Sequence, residues 1–124
     1  MTREDLAGLL DTARDSLRNE VQPAVPPELR YPAAMVANAM AIAARGLAIG
    51  GEIEARQRTT LAALYGESRA LSLGQLERRL ARELRAGGFD QEREERIRAA
   101  LIACVLARLE LSNPEYASTY PVNL

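Results

Sequence analysis

The chain contains no histidine, no lysine and no tryptophan, and it holds one phenylalanine and one cysteine among 124 residues. Each gap excludes something. Without histidine there is no Ser-His-Asp or Cys-His relay, no common zinc or haem ligation, and no Glu-x-x-His di-iron bundle. Catalysis would have to run on carboxylates, tyrosine, an activated cysteine or arginine. A non-catalytic role is therefore the expectation, with no metal and no cofactor. One cysteine forms no internal disulfide, which fits a reducing compartment. All 16 basic residues are arginine, set against 17 acidic ones, for a net charge of −1. With the signs interleaved, the basic footprint of a nucleic-acid binder is missing. The N-terminus, MTREDLAGLL, is acidic and amphipathic rather than basic and then apolar, so no secretory signal is expected and the reading is cytoplasmic.

What is present is a vocabulary of alanine, leucine and arginine, 48% hydrophobic and only 4% aromatic, which favours helix. Apolar residues recur at 3.6-residue spacing, and no stretch alternates as a strand would. The expected fold is all-α: a single domain over residues 1–124, a compact bundle of about five helices with no sheet. The expected segments are a first helix over 1–21, a proline loop over 22–31, the remaining helices over 32–112, and a C-terminal tail over 113–124.

The stretch from Tyr31 to Gly51, YPAAMVANAMAIAARGLAIGG, organises the rest. Pro32 suits a first helical turn. Behind it Val36, Ala39, Met40, Ala43 and Leu47 recur at helical spacing, and another face is alanine throughout. Gly46 and Gly50 form a small-x-x-x-small pair. A run holding Asn38 and Arg45 reads as a buried soluble helix and not as a membrane span. Gly50-Gly51 is expected to divide Pro32–Tyr65 into two helices. Further on, Ser72 and Gln75 spell a capping box with Leu71 and Leu76 as its staple, and Gly87 or Gly88 ends that helix. Arg78, Arg82 and Arg85 fall on its solvated face. Asp90 caps the last long helix, in which Ala99 to Ala107 is apolar on every side and carries Cys104 as an inert core thiol.

Short segments carry a family resemblance. Leu9-Leu10, Glu20-Val21 with Pro23, Leu29-Arg30-Tyr31, Val36-Ala37-Asn38-Ala39 and Asn113-Pro114-x-Tyr116 resemble an uncharacterised bacterial family of small helical proteins. Its members are encoded beside or fused to aminoglycoside-phosphotransferase-like kinases, often near acyl-CoA dehydrogenases. The resemblance implies an accessory role beside such a kinase and transfers no catalytic residue. A kinase's catalytic-loop and metal-binding aspartates have no counterpart here.

Four polar residues in these segments are site candidates: Glu20, Arg30, Asn38 and Arg45. One reading is a polar pocket between the first and central helices, where Arg30 or Arg45 holds a small anion. The favoured reading is structural, with Asn38 buried and hydrogen-bonded and Glu20 paired with Arg30 or Arg45. The resulting expectation is a non-catalytic interaction module, homodimeric and able to partner a kinase-like protein. Its alternative is a small anionic-ligand binder or minor enzyme centred on Asn38 and Arg45. Neither nucleic acid nor membrane is an expected partner. For the dimer the last helix is the first choice of interface and the central helix the second. The rival is a monomer whose tail covers the last helix through Tyr116 and Tyr120.

Overall fold

Thr2 and Asp5 open the chain by capping each other. The Thr2 hydroxyl accepts from the Asp5 N–H at 3.0 Å, and the Thr2 N–H donates to the Asp5 carboxylate at 2.8 Å. Two of the helix's four orphan donors are thereby satisfied. The computed structural model describes residues 1–120. Over these the chain forms α1 (Arg3–Ser16), α2 (Pro27–Leu64), α3 (Leu73–Ala86), α4 (Gln91–Ser112) and α5 (Pro114–Thr119), with no strand among the described residues. The all-α expectation of five helices holds. Packing divides the chain into two compact units, Met1–Gly51 and Glu52–Leu124, and α2 contributes to both.

In the first unit α1 does not simply stop. It loosens into a π turn over Leu17–Val21 and then tightens into a 3₁₀ turn over Gln22–Ala24. Pro23 brings no N–H to the ladder, so the winding must change around it. Val25 is extended, and α2 begins at Pro27. The proline loop expected over 22–31 thus shrinks to the junction at Val25 and Pro26. Pro27, not Pro32, takes the first-turn position where a missing N–H costs nothing. Pro32 lies just inside α2 and leaves only the Glu28 carbonyl without its helical donor.

A second boundary also differs. Gly50 and Gly51 do not divide the central stretch, and α2 is continuous for 38 residues. An interior glycine costs about 1 kcal/mol relative to alanine, and a long, cooperative run of alanine, leucine, glutamate and arginine on both sides absorbs it. α2 stops instead at Gly66, whose φ of +57° lets the chain turn back. There the Glu67 N–H reaches the Ala62 carbonyl at 2.9 Å and the Gly66 N–H reaches Ala63 at 3.2 Å, a Schellman closure.

The second unit has the better core. Leu61 of α2, Leu76 and Leu80 of α3, and Ile97 and Ala100 of α4 are buried together, with Leu64, Leu71, Leu73 and Phe89 packed around them. The Ser72–Gln75 capping box forms as its sequence implies, at 2.8 and 3.1 Å. Asp90 caps α4 through the Arg93 N–H at 2.8 Å. Arg78, Arg82 and Arg85 are exposed on α3. Asn113 ends α4 but also caps α5, accepting from the Tyr116 N–H at 3.1 Å. Part of the expected tail is therefore helix. Its last four residues, 121–124, lie outside the described ones. The Tyr116 and Tyr120 rings meet at a tilt of 53°, with centroids 6.3 Å apart.

Candidate functional site

In the first unit α1 and the π turn face the N-terminal half of α2 across a polar cleft. Its inner lobe, about 340 Å³, is lined by Arg14, Arg18, Gln22, Asn38 and Arg45 over a floor of Ala34, Ala37 and Ala41. Its outer lobe, about 560 Å³, is lined by Asp15, Arg18, Asn19, Gln22, Pro23 and Arg30. Arg18 and Gln22 belong to both. Local winding explains the arrangement. An i→i+5 turn uses more residues per revolution than an α turn, so Arg18 and Gln22, four apart across it, return towards the line of Arg14. On the opposite wall Asn38 and Arg45 are two turns apart on one helix face.

Four guanidinium groups and one carboxylate line the two lobes. Arg14 lies 3.8 Å from Asp15, and the buried Arg14 Nε has no hydrogen-bond partner among the described residues. Neither Arg18 nor Arg30 forms an ion pair among the described residues.

Of the four residues expected to form a site, Arg30, Asn38 and Arg45 line this cleft, while Glu20 is exposed and lines neither lobe. Asn38 is exposed as well, so the expected buried amide is corrected. The alanine floor beside it is too shallow to enclose a side chain. No ion pair joins Glu20 to Arg30 among the described residues. Sequence reasoning missed Arg14, Arg18, Asn19 and Gln22. A signal was available: Arg14, Arg18 and Gln22 recur at i, i+4, i+8, but the last two fall in a turn whose winding a helical template does not describe.

A second feature lies on the other side of α2. Leu29 and Val36, 49% and 50% exposed, and the exposed Ala43 repeat every seven residues. Ala39, Ala43, Gly46 and Gly50 form a strip of small residues beside them. Among the described residues, nothing beyond the helix's own backbone lies within 4 Å of where a Cβ would stand on Gly46, Gly50 or Gly51. The central helix was expected to be buried, yet its buried residues in this unit are Ala37, Ala41 and Ala44, all close to the cleft side. α2 is also long and apolar enough to cross a membrane by length and composition, with Asn38 and Arg45 inside the run.

In the second unit an apolar groove of about 220 Å³ runs between α3 and α4, lined by Leu73, Leu80, Leu84, Leu101 and Val105 and edged by the Arg108–Glu77 ion pair at 3.2 Å. Cys104 lines it too. Burial pushes its thiol pKa up, and its carbonyl accepts from the buried Gln57 amide at 3.3 Å. No group of three or more Cys, Asp or Glu side chains among the described residues is placed to hold a metal ion.

Residues 23–116 match a family described as a domain of unknown function (DUF6285), and the chain belongs to that family. No curated protein and no solved structure matches it.

Proposed function

We propose that this member of the DUF6285 family is a non-catalytic helical interaction module that works as a homodimer through the outer side of α2. One observation carries the reading. Three glycines occupy the interior of a continuous helix, each costing about 1 kcal/mol relative to alanine, and no atom of the described residues beyond the helix's own backbone lies within 4 Å of where their Cβ would stand. That space is what a second helix needs in order to approach closely, and exposed Leu29, Val36 and Ala43 supply apolar surface beside it. A two-fold pairing makes one self-complementary face sufficient.

This choice of face differs from the order suggested by sequence, which favours the last helix. On α4 the exposed apolar surface is Leu101 and Val105, at 38% and 54%. α5 packs against another side of that helix, next to Ile102 and Leu106. The α4 groove is thus the second contact site. It suits a kinase of the aminoglycoside-phosphotransferase type, the partner that the family resemblance suggests. The reading takes the chain as a bacterial cytoplasmic protein, because Asn38 and Arg45 would be costly in lipid.

Light scattering at micromolar concentration tests it. The wild type should run at twice 13.6 kDa, and Val36→Glu, a change at a half-exposed site, should run as a folded monomer. A wild-type monomer at tens of micromolar, or flotation with vesicles in place of self-association, overturns the proposal.

A further inference from the structure

We propose that the cleft of the first unit binds a small molecule bearing a diphosphate group. The argument begins with charge. Guanidinium is planar, permanently charged and shaped to hold oxyanions by paired N–H donors, and phosphate oxygens match it well. Arg14, Arg18 and Arg30 line two neighbouring hollows that share Arg18 and Gln22 and hold a single carboxylate, Asp15. Gathering like charges on a folded surface is unfavourable unless an anion compensates them. Arg18 and Arg30 have no anionic partner among the described residues. The buried Arg14 Nε still has a hydrogen bond to give.

Geometry then selects the anion. The cleft has two lobes that meet at Arg18 and Gln22, with Arg14 and Arg45 on the inner side and Arg30 on the outer. A single phosphate serves one lobe. Two linked phosphates place one anionic centre in each and share the Arg18 guanidinium between them. Asn38 and Gln22 add neutral amide donors, and the outer lobe, at about 560 Å³, leaves room for the organic part of the molecule. The π turn is what sets Arg18 and Gln22 into both lobes, and such turns recur at functional sites. The site does not involve the outer face of α2, so it stands independently of the dimer.

Calorimetric titration of the full chain with inorganic pyrophosphate, orthophosphate and sulfate at one fixed ionic strength tests the proposal. Pyrophosphate should bind at least tenfold more tightly than either single anion. Arg18→Gln should weaken pyrophosphate at least tenfold, and Arg30→Gln should reduce it to the orthophosphate level. Arg82→Gln, on the solvated face of α3, should leave binding unchanged. Arg18 and Arg30 are both exposed and sit on different elements, so circular dichroism can confirm folding for each variant separately. Equal binding of all three anions overturns the proposal. So does an Arg18→Gln or a folded Arg30→Gln that binds like wild type, or an Arg82→Gln that loses as much.

Discussion

Gly8 and Gly66 show how one residue type serves opposite ends within one chain. Gly8 sits inside α1 with helical dihedrals and open space where a Cβ would be, so its hydrogen contributes nothing to packing. Gly66 holds a φ of +57°, where an L side chain crowds the following carbonyl. Gly8→Ala should therefore stabilise the protein by up to about 1 kcal/mol. Gly66→Ala should destabilise it by roughly 1–2 kcal/mol, because the left-handed turn closing α2 becomes strained. Urea unfolding separates the two, and equal signs would contradict the description of these positions. Gly66 was legible as a stop from sequence, since a glycine after a periodic run has few other uses. Asn38 was not. Its neighbours are apolar letters, but they are alanines, and alanine letters do not reveal whether a side chain standing among them is covered.

At the scale of elements, one polar cluster ties three helices of the second unit together. Arg93 of α4 donates to both oxygens of Glu83 of α3 at 2.8 and 2.9 Å and to the Leu64 carbonyl at the end of α2 at 3.0 Å. Tyr65 donates its hydroxyl to Glu83 at 2.8 Å, and two guanidiniums lie over its ring, Arg79 at 4.2 Å and Arg93 at 5.1 Å from the centroid. The Arg93 hydrogen bonds, with help from Tyr65, hold the Glu83 carboxyl down at about 2. Burial and the Glu83 carboxylate push the Tyr65 phenol up to about 12. The signs follow from linkage. Glu83 binds its proton more weakly in the folded state, so its contribution is present above the ordinary carboxyl range near 4.5 and is lost as pH falls towards 2. Tyr65 binds its proton more tightly when folded, so its contribution is present below 10 and is lost as pH rises towards 12. Melting temperature should decline on both flanks, and Glu83→Gln should flatten the acid one. An unchanged acid flank in that variant would show that other carboxylates carry it. Sequence revealed the helices that this cluster joins but not the cluster, because Tyr65, Glu83 and Arg93 are brought together only by tertiary packing. Caps such as Ser72 with Gln75 were legible because they are local. The continuity of α2 was not, because two glycines weigh against a helix locally while 38 residues of cooperative winding outweigh them.

At the scale of the whole molecule, the outer side of α2 makes assembly and stability one question. If two copies meet there, dissociation exposes the Val36 and Ala43 strip, and the folded state gains free energy from the partner by mass action. Melting temperature should then rise with protein concentration, and Val36→Glu should remove that dependence. Gly50→Ala gives a sharper test, because the two contributions have opposite signs. Within one chain the added methyl meets nothing within 4 Å, so the helix alone should gain about 1 kcal/mol, as Gly8→Ala does. Between two closely approached helices the same methyl holds the backbones apart and costs contacts along the strip. The variant should consequently melt higher than wild type in dilute solution, where monomers dominate, and lower in concentrated solution, where dimers do. A crossing of the two concentration curves is the signature of a glycine placed for a partner. If Gly50→Ala instead raises the melting temperature by the same amount at every concentration, as Gly8→Ala should, the space over Gly50 is empty in the assembled protein and the interface lies elsewhere.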